Sequence, residues 1–101
     1  MPFGAFINAV PMPVFLLIHG AALLIGLYFA AKAFGAGEQG LGTAFVLYAL
    51  AEVLYLTYHL DWTVFLFAHT IAEVLDLAAF VLVFAGAVYE TVRQPRLEVS
   101  R

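Results

Sequence analysis

Residues 12–34 read MPVFLLIHGAALLIGLYFAAKAF, an apolar run interrupted only by His19 and, near its end, Lys32. A helix of about 20 such residues crosses the ~30 Å hydrocarbon core of a bilayer. Pro11 and Pro13 suit its first turn, where backbone N–H groups have no partner within the helix. Two more runs follow, 43–60 and 62–89, so the chain is expected to be all-α, an integral membrane bundle of three helices. The third run exceeds what a bilayer core needs and should tilt or protrude.

The connections are read from their residue types. GAGEQGLG, residues 35–42, is rich in glycine and comparatively polar, as a helix-to-helix linker would be. It lacks the Lys and Ser/Thr of a phosphate-binding loop. Between the second and third runs the turn is very tight, with Asp61 placed to cap a helix starting at Trp62. Pro95 is expected to stop any continuation of the third helix, leaving a short tail over 90–101. The N-terminal MPFGAFINAVPMPVFLL has no basic segment ahead of its apolar run, so it is read as retained rather than as a cleaved signal. A single domain, 1–101, accounts for the length.

Composition agrees. Of 101 residues 65% are hydrophobic and 11% charged, and the mean hydropathy is +1.03, against roughly 25% charged residues in soluble domains. Only 4 Lys and Arg accompany a net charge of −3, which excludes a nucleic-acid partner. The absence of cysteine removes disulfides, thiolate metal sites and cysteine nucleophiles. Three helices enclose little space, so self-association or a place among other membrane subunits is expected. Lys32, Arg93, Arg96 and Arg101 all fall on one side, and Trp62 on the other. By the excess of basic residues in cytoplasmic segments the C-terminus is cytoplasmic and the N-terminus outside, in a cytoplasmic or inner membrane.

The apolar runs also carry His19, Glu52, His59, His69, Glu73 and Asp76. Each costs roughly 2.5–3.5 kcal/mol at the centre of a membrane helix, so their retention needs a reason. On the third run His69, Glu73 and Asp76 share one stripe, and on the second Tyr48, Glu52, Tyr55 and His59 share another. With a rise of 1.5 Å per residue from the outer ends, His19 lies ~9 Å deep and Glu52 and His69 ~12 Å, with Glu73 and Asp76 at ~18 and ~22 Å. A small-residue row, Ala22, Gly26 and Ala30, lies beside His19, and Ala68 and Ala72 can play the same part on the third helix.

Three functional readings follow. Imidazole and carboxylate together suit Zn, Fe, Mn or Cu, with His19, Glu52, His69 and Glu73 as ligands and Asp76, Tyr48, Tyr55 and His59 around them. Haem fits less well, because carboxylates so near are awkward against a porphyrin unless they meet its propionates. This reading places the chain in an electron- or proton-transfer complex, as a possible subunit of a membrane oxidoreductase. The second is a proton- or cation-conducting homo-oligomer, in which the same residues pass protons inward from the outer mouth; a quinone site is a variant. The third makes them interhelical ties in a structural subunit. Ser100 lies in the tail and Thr57, Thr63 and Thr70 form no triad, so an autonomous enzyme with a nucleophilic mechanism is not expected.

Overall fold

The computed structural model describes residues 3–99, with side chains through Val92. Arg101 lies outside the described residues, and the side chains of Arg93 and Arg96 outside the described side chains. A short 3-10 turn, Ala5–Ala9, precedes three helices: α1, Met12–Gly35; α2, Gln39–His59; and α3, Phe65–Val99. All three are long and apolar enough to cross a membrane, α3 over Phe65–Val92. Large exposed side chains such as Leu17, Leu24, Leu66 and Leu77 give them an outer surface suited to lipid.

The helices do not form a closed bundle. α1 packs on α2 and α2 on α3, while no Cα of α1 comes within 8 Å of one of α3 among the described residues. The chain is therefore a layer of three helices with α2 in the middle. Short connections place consecutive helices side by side, and the small residues of α2 do the rest. Its buried positions include Gly42, Ala44, Ala49 and Ala51. At 100° per residue Gly42 and Ala49 fall on one face, and Ala44 and Ala51 on another. A Cβ on Gly26 of α1 would lie 2.9 Å from the Tyr48 ring and 3.5 Å from the Ala49 Cβ, so the first face meets α1. The second carries Tyr55, which reaches Glu73 of α3. Among the described residues alanine makes up the whole buried hydrophobic set, Ala68 and Ala72 of α3 included. Such packing is that of membrane helices, where close backbone approach replaces a large side-chain core.

Both turns correct the reading from sequence. The linker is shorter than GAGEQGLG, because α2 already begins at Gln39. Gly42 lies inside the helix, where a Cβ would come within 2.6 Å of the Phe34 ring; it is a contact glycine rather than a flexible one. α1 ends in a Schellman motif, with Gly37 at φ 80° and bonds from Gly37 N–H to the Phe34 carbonyl and from Glu38 N–H to that of Ala33. Asp61 plays the same part after α2. Its φ is 63°, its N–H bonds to the Tyr58 carbonyl, and Trp62 N–H bonds to that of Thr57. Asp61 thus terminates α2 instead of capping α3, which starts at Phe65 rather than Trp62. Thr57 and Thr63 close the turn, their hydroxyls 3.0 Å apart. Pro95 does not stop α3, whose backbone stays helical to Val99: proline forfeits one hydrogen bond, but its fixed φ is compatible with a helix.

Two substitutions test this account through the thermal stability of the detergent-purified protein. Asp61→Gly is expected to stabilise it by about 1 kcal/mol, as the left-handed backbone favours glycine, and Asp61→Val to destabilise it by more. Loss of stability in Asp61→Gly would restore the helix-cap role. Gly42→Ala should cost about 1–3 kcal/mol through its clash with Phe34, and Phe34→Leu in the same chain should recover part of that.

Candidate functional site

The halves of the three helices near the α2–α3 turn bring the polar residues together. α1 and α2 run antiparallel, so Phe15 meets His59, His19 meets Glu52 and Phe29 meets Phe45, in opposite chain order. His19 Nδ1 and Glu52 Oε2 are 2.5 Å apart. Glu52 is 9% exposed, the buried ionisable side chain of the described set. On α2 it follows Ala49 and Ala51 and points between the two faces they occupy, where their small side chains let the neighbouring helices approach. The contact joins an imidazole nitrogen of α1 to a carboxyl oxygen of α2 across a part-buried seam. A proton moving between Nδ1 and Oε2 interconverts an imidazole–carboxyl pair and an imidazolium–carboxylate pair, with no other atom displaced.

Around this pair stands a column of flat rings. Phe15 stacks on His59 at 4.6 Å with 5° between planes, His59 on His19 at 5.2 Å, and His19 on Tyr55 at 5.0 Å. The column fixes both imidazoles in orientation, leaving their ring nitrogens at the edges for hydrogen bonding. Tyr55 then connects to α3, its hydroxyl donating to Glu73 Oε1 at 3.5 Å. A cleft of about 230 Å³ opens beside the column, lined by His19, Tyr55, His59 and His69 among others.

The shared level of His19 and Glu52, expected from the depth count, is thus realised as a direct bond. His69 is in the cleft but outside the pair; it is exposed, and its ring meets Phe65 edge-on at 5.0 Å. The reason lies in the turn. Because α3 begins at Phe65, His69 is only ~6 Å below the helix start and Glu73 is at ~12 Å. Glu73 therefore takes the level that the count from Asp61 assigned to His69. The residues expected to bind one ion, His19, Glu52, His69 and Glu73, are divided among the His19–Glu52 pair, the Tyr55–Glu73 contact and the His69–Phe65 contact. Among the described residues no three His, Asp or Glu side chains converge as ligands to a metal.

Asp76 and Tyr48 lie deeper, on a second and larger groove, where the Asp76 Oδ1 is buried without a hydrogen-bond partner. Sequence reasoning missed Phe15 and Tyr58. Phe15 could have been found, since it lies one turn before His19 on the same helix face; Tyr58 could not, because its place in the cleft depends on the turn. The chain matches no protein-family model, and no curated protein or solved structure is similar to it.

A double-mutant cycle measures the central pair. His19→Ala and Glu52→Ala should each destabilise the folded protein, and their coupling energy should be about 0.5–2 kcal/mol. Additive effects would show that the two side chains do not interact.

Proposed function

We propose that this chain handles protons within the membrane, through a site built on the His19–Glu52 pair, with His59 stacked beside it and Tyr55 and Glu73 as a branch onto α3. The observation that carries this reading is the His19–Glu52 bond inside two apolar spans, with His59 stacked on the same imidazole. Neighbouring proton-exchanging groups of this kind mark proton paths in membrane proteins, where retaining them is otherwise expensive.

The reading places the site in the outer half of a cytoplasmic or inner membrane, with the N-terminus outside and the C-terminus cytoplasmic. It gives the chain partners, either further copies of itself or other subunits of a proton- or electron-transfer complex. The open layer supports this, since α1 and α3 leave one side of α2 uncovered by the chain itself. A site for Zn, Fe, Mn or Cu, or for haem, needs His69 and Glu73 drawn to the His19–Glu52 pair. Proton transfer along the pair needs no such rearrangement, and for that reason it ranks first. The structural reading, in which the pair only ties α1 to α2, explains the His19–Glu52 bond but leaves His59 and Glu73 without a role.

Infrared difference spectroscopy of the protein in lipid bilayers, recorded between acid and neutral pH, tests the site. A carboxyl C=O band that appears on protonation should vanish in Glu52→Gln and shift in frequency in His19→Asn. In sealed vesicles that hold the chain with whatever partners co-purify, Glu52→Gln should slow proton flux about tenfold or more. A wild-type flux and spectrum retained in Glu52→Gln would remove Glu52 from proton handling and overturn the proposal.

A further inference from the structure

The larger groove lies deeper than the His19–Glu52 pair, over α2 and between α1 and α3, with a volume of about 610 Å³. That falls within the range of sites that hold drug-sized molecules, roughly 300–1,000 Å³. Aromatic rings from all three helices line it: Phe29 of α1, Phe45 and Tyr48 of α2, and Phe80 and Phe84 of α3. Phe29 and Phe45 stack at 5.5 Å, and Phe80 and Phe84 lie 4.8 Å apart. Among these walls stands one carboxylate, Asp76, with its Oδ1 buried and unpartnered.

Among the described residues no basic one lines the groove. Lys32, the one lysine or arginine among the described side chains, has its ammonium over the Tyr28 ring at 5.6 Å, and Tyr28 is not part of the groove. Among the described residues the Asp76 carboxylate has no counter-charge in the groove. A lipid acyl chain would satisfy the aromatic walls and leave the carboxylate oxygen without a partner, at a cost of a few kcal/mol in hydrocarbon. A second copy in the same groove would bring its own apolar and acidic lining. An organic cation with apolar substituents meets both demands at once, because its charge answers the carboxylate and the ring faces attract it.

We propose that this groove is a binding site for a lipophilic organic cation, of the quaternary ammonium or phosphonium class, held by Asp76 among the rings of Phe29, Phe45, Tyr48, Phe80 and Phe84. The residues that line the groove are other than His19 and Glu52.

The probe is tetraphenylphosphonium, with tetraphenylborate as a control of the same shape and opposite charge, titrated against the full-length protein in detergent by isothermal calorimetry. Saturable binding of the cation is expected, with the anion at least about tenfold weaker. Asp76→Asn should lower affinity for the cation about tenfold or more, Asp76→Glu should retain it, and Phe80→Ala should weaken it. Circular dichroism and gel filtration establish that each variant is folded; if Asp76→Asn is not, the cation-to-anion preference and Phe80→Ala decide. Equal binding of both ions, or undiminished binding by folded Asp76→Asn, overturns the proposal in favour of a groove for apolar molecules such as lipid. Absence of saturable binding also overturns it, and cross-linking between groove cysteines of two chains would then assign the face to a second copy.

Discussion

Close approach of helix backbones at glycine and alanine is the constraint on which this structure depends. In hydrocarbon there is no hydrophobic drive to bring helices together, so contact must come from packing and from hydrogen bonds between polar side chains. α2 meets the demand on two faces, with Gly42 and Ala49 toward α1 and Ala44 and Ala51 toward α3. No large side chain is fully buried anywhere in the described chain. A helix with two such seams has two neighbours, and because the seams are on different faces the neighbours stay apart. The open layer is thus a consequence of where α2 keeps its small residues.

The same spacing explains how Glu52 can be tolerated. A carboxylate in the middle of a membrane helix is expensive unless a partner lies close at hand. Ala49, on the face toward α1, brings that helix near enough for His19 to meet Glu52. The bond in turn adds a polar tie to a seam otherwise held by dispersion contacts of a few alanines. Packing and polar chemistry are therefore coupled here: the small residues permit the pair, and the pair holds the register in which Phe15 and His59 stack beside it.

Much of this was legible in the residues. Apolar length gave the three spans, and counting rise from the outer ends brought His19 and Glu52 to nearly one level, within reach of the bond they make. The count failed for α3 for a local reason. Asp61 is of a type that caps helices, yet its backbone is left-handed and closes α2, so α3 starts later and Glu73 occupies the level foreseen for His69. Side-chain type alone does not separate these roles, since Asp is among the residues that tolerate either conformation. The glycines of 35–42 misled in the same way. Composition marks glycine as flexible, whereas Gly42 is there because the Phe34 ring leaves no room for a Cβ.

The aromatic residues mark the limit of hydropathy as a guide. Phe80 and Phe84 are 61% and 57% exposed, and by sequence they are economical lipid contacts. Their groove exists only because α1 and α3 stand apart over α2, a matter of angle between seams that no single-helix pattern encodes. Exposure in an isolated chain therefore does not have one meaning here. On the outer faces it is the surface that lipid solvates; between α1 and α3 it belongs to a concave face that also carries the unpartnered Asp76 oxygen. Lipid can solvate rings on either face, but a carboxylate in hydrocarbon calls for a hydrogen-bond donor or a positive charge. It is this residue, more than the apolar area around it, that distinguishes the groove from the rest of the membrane-facing surface.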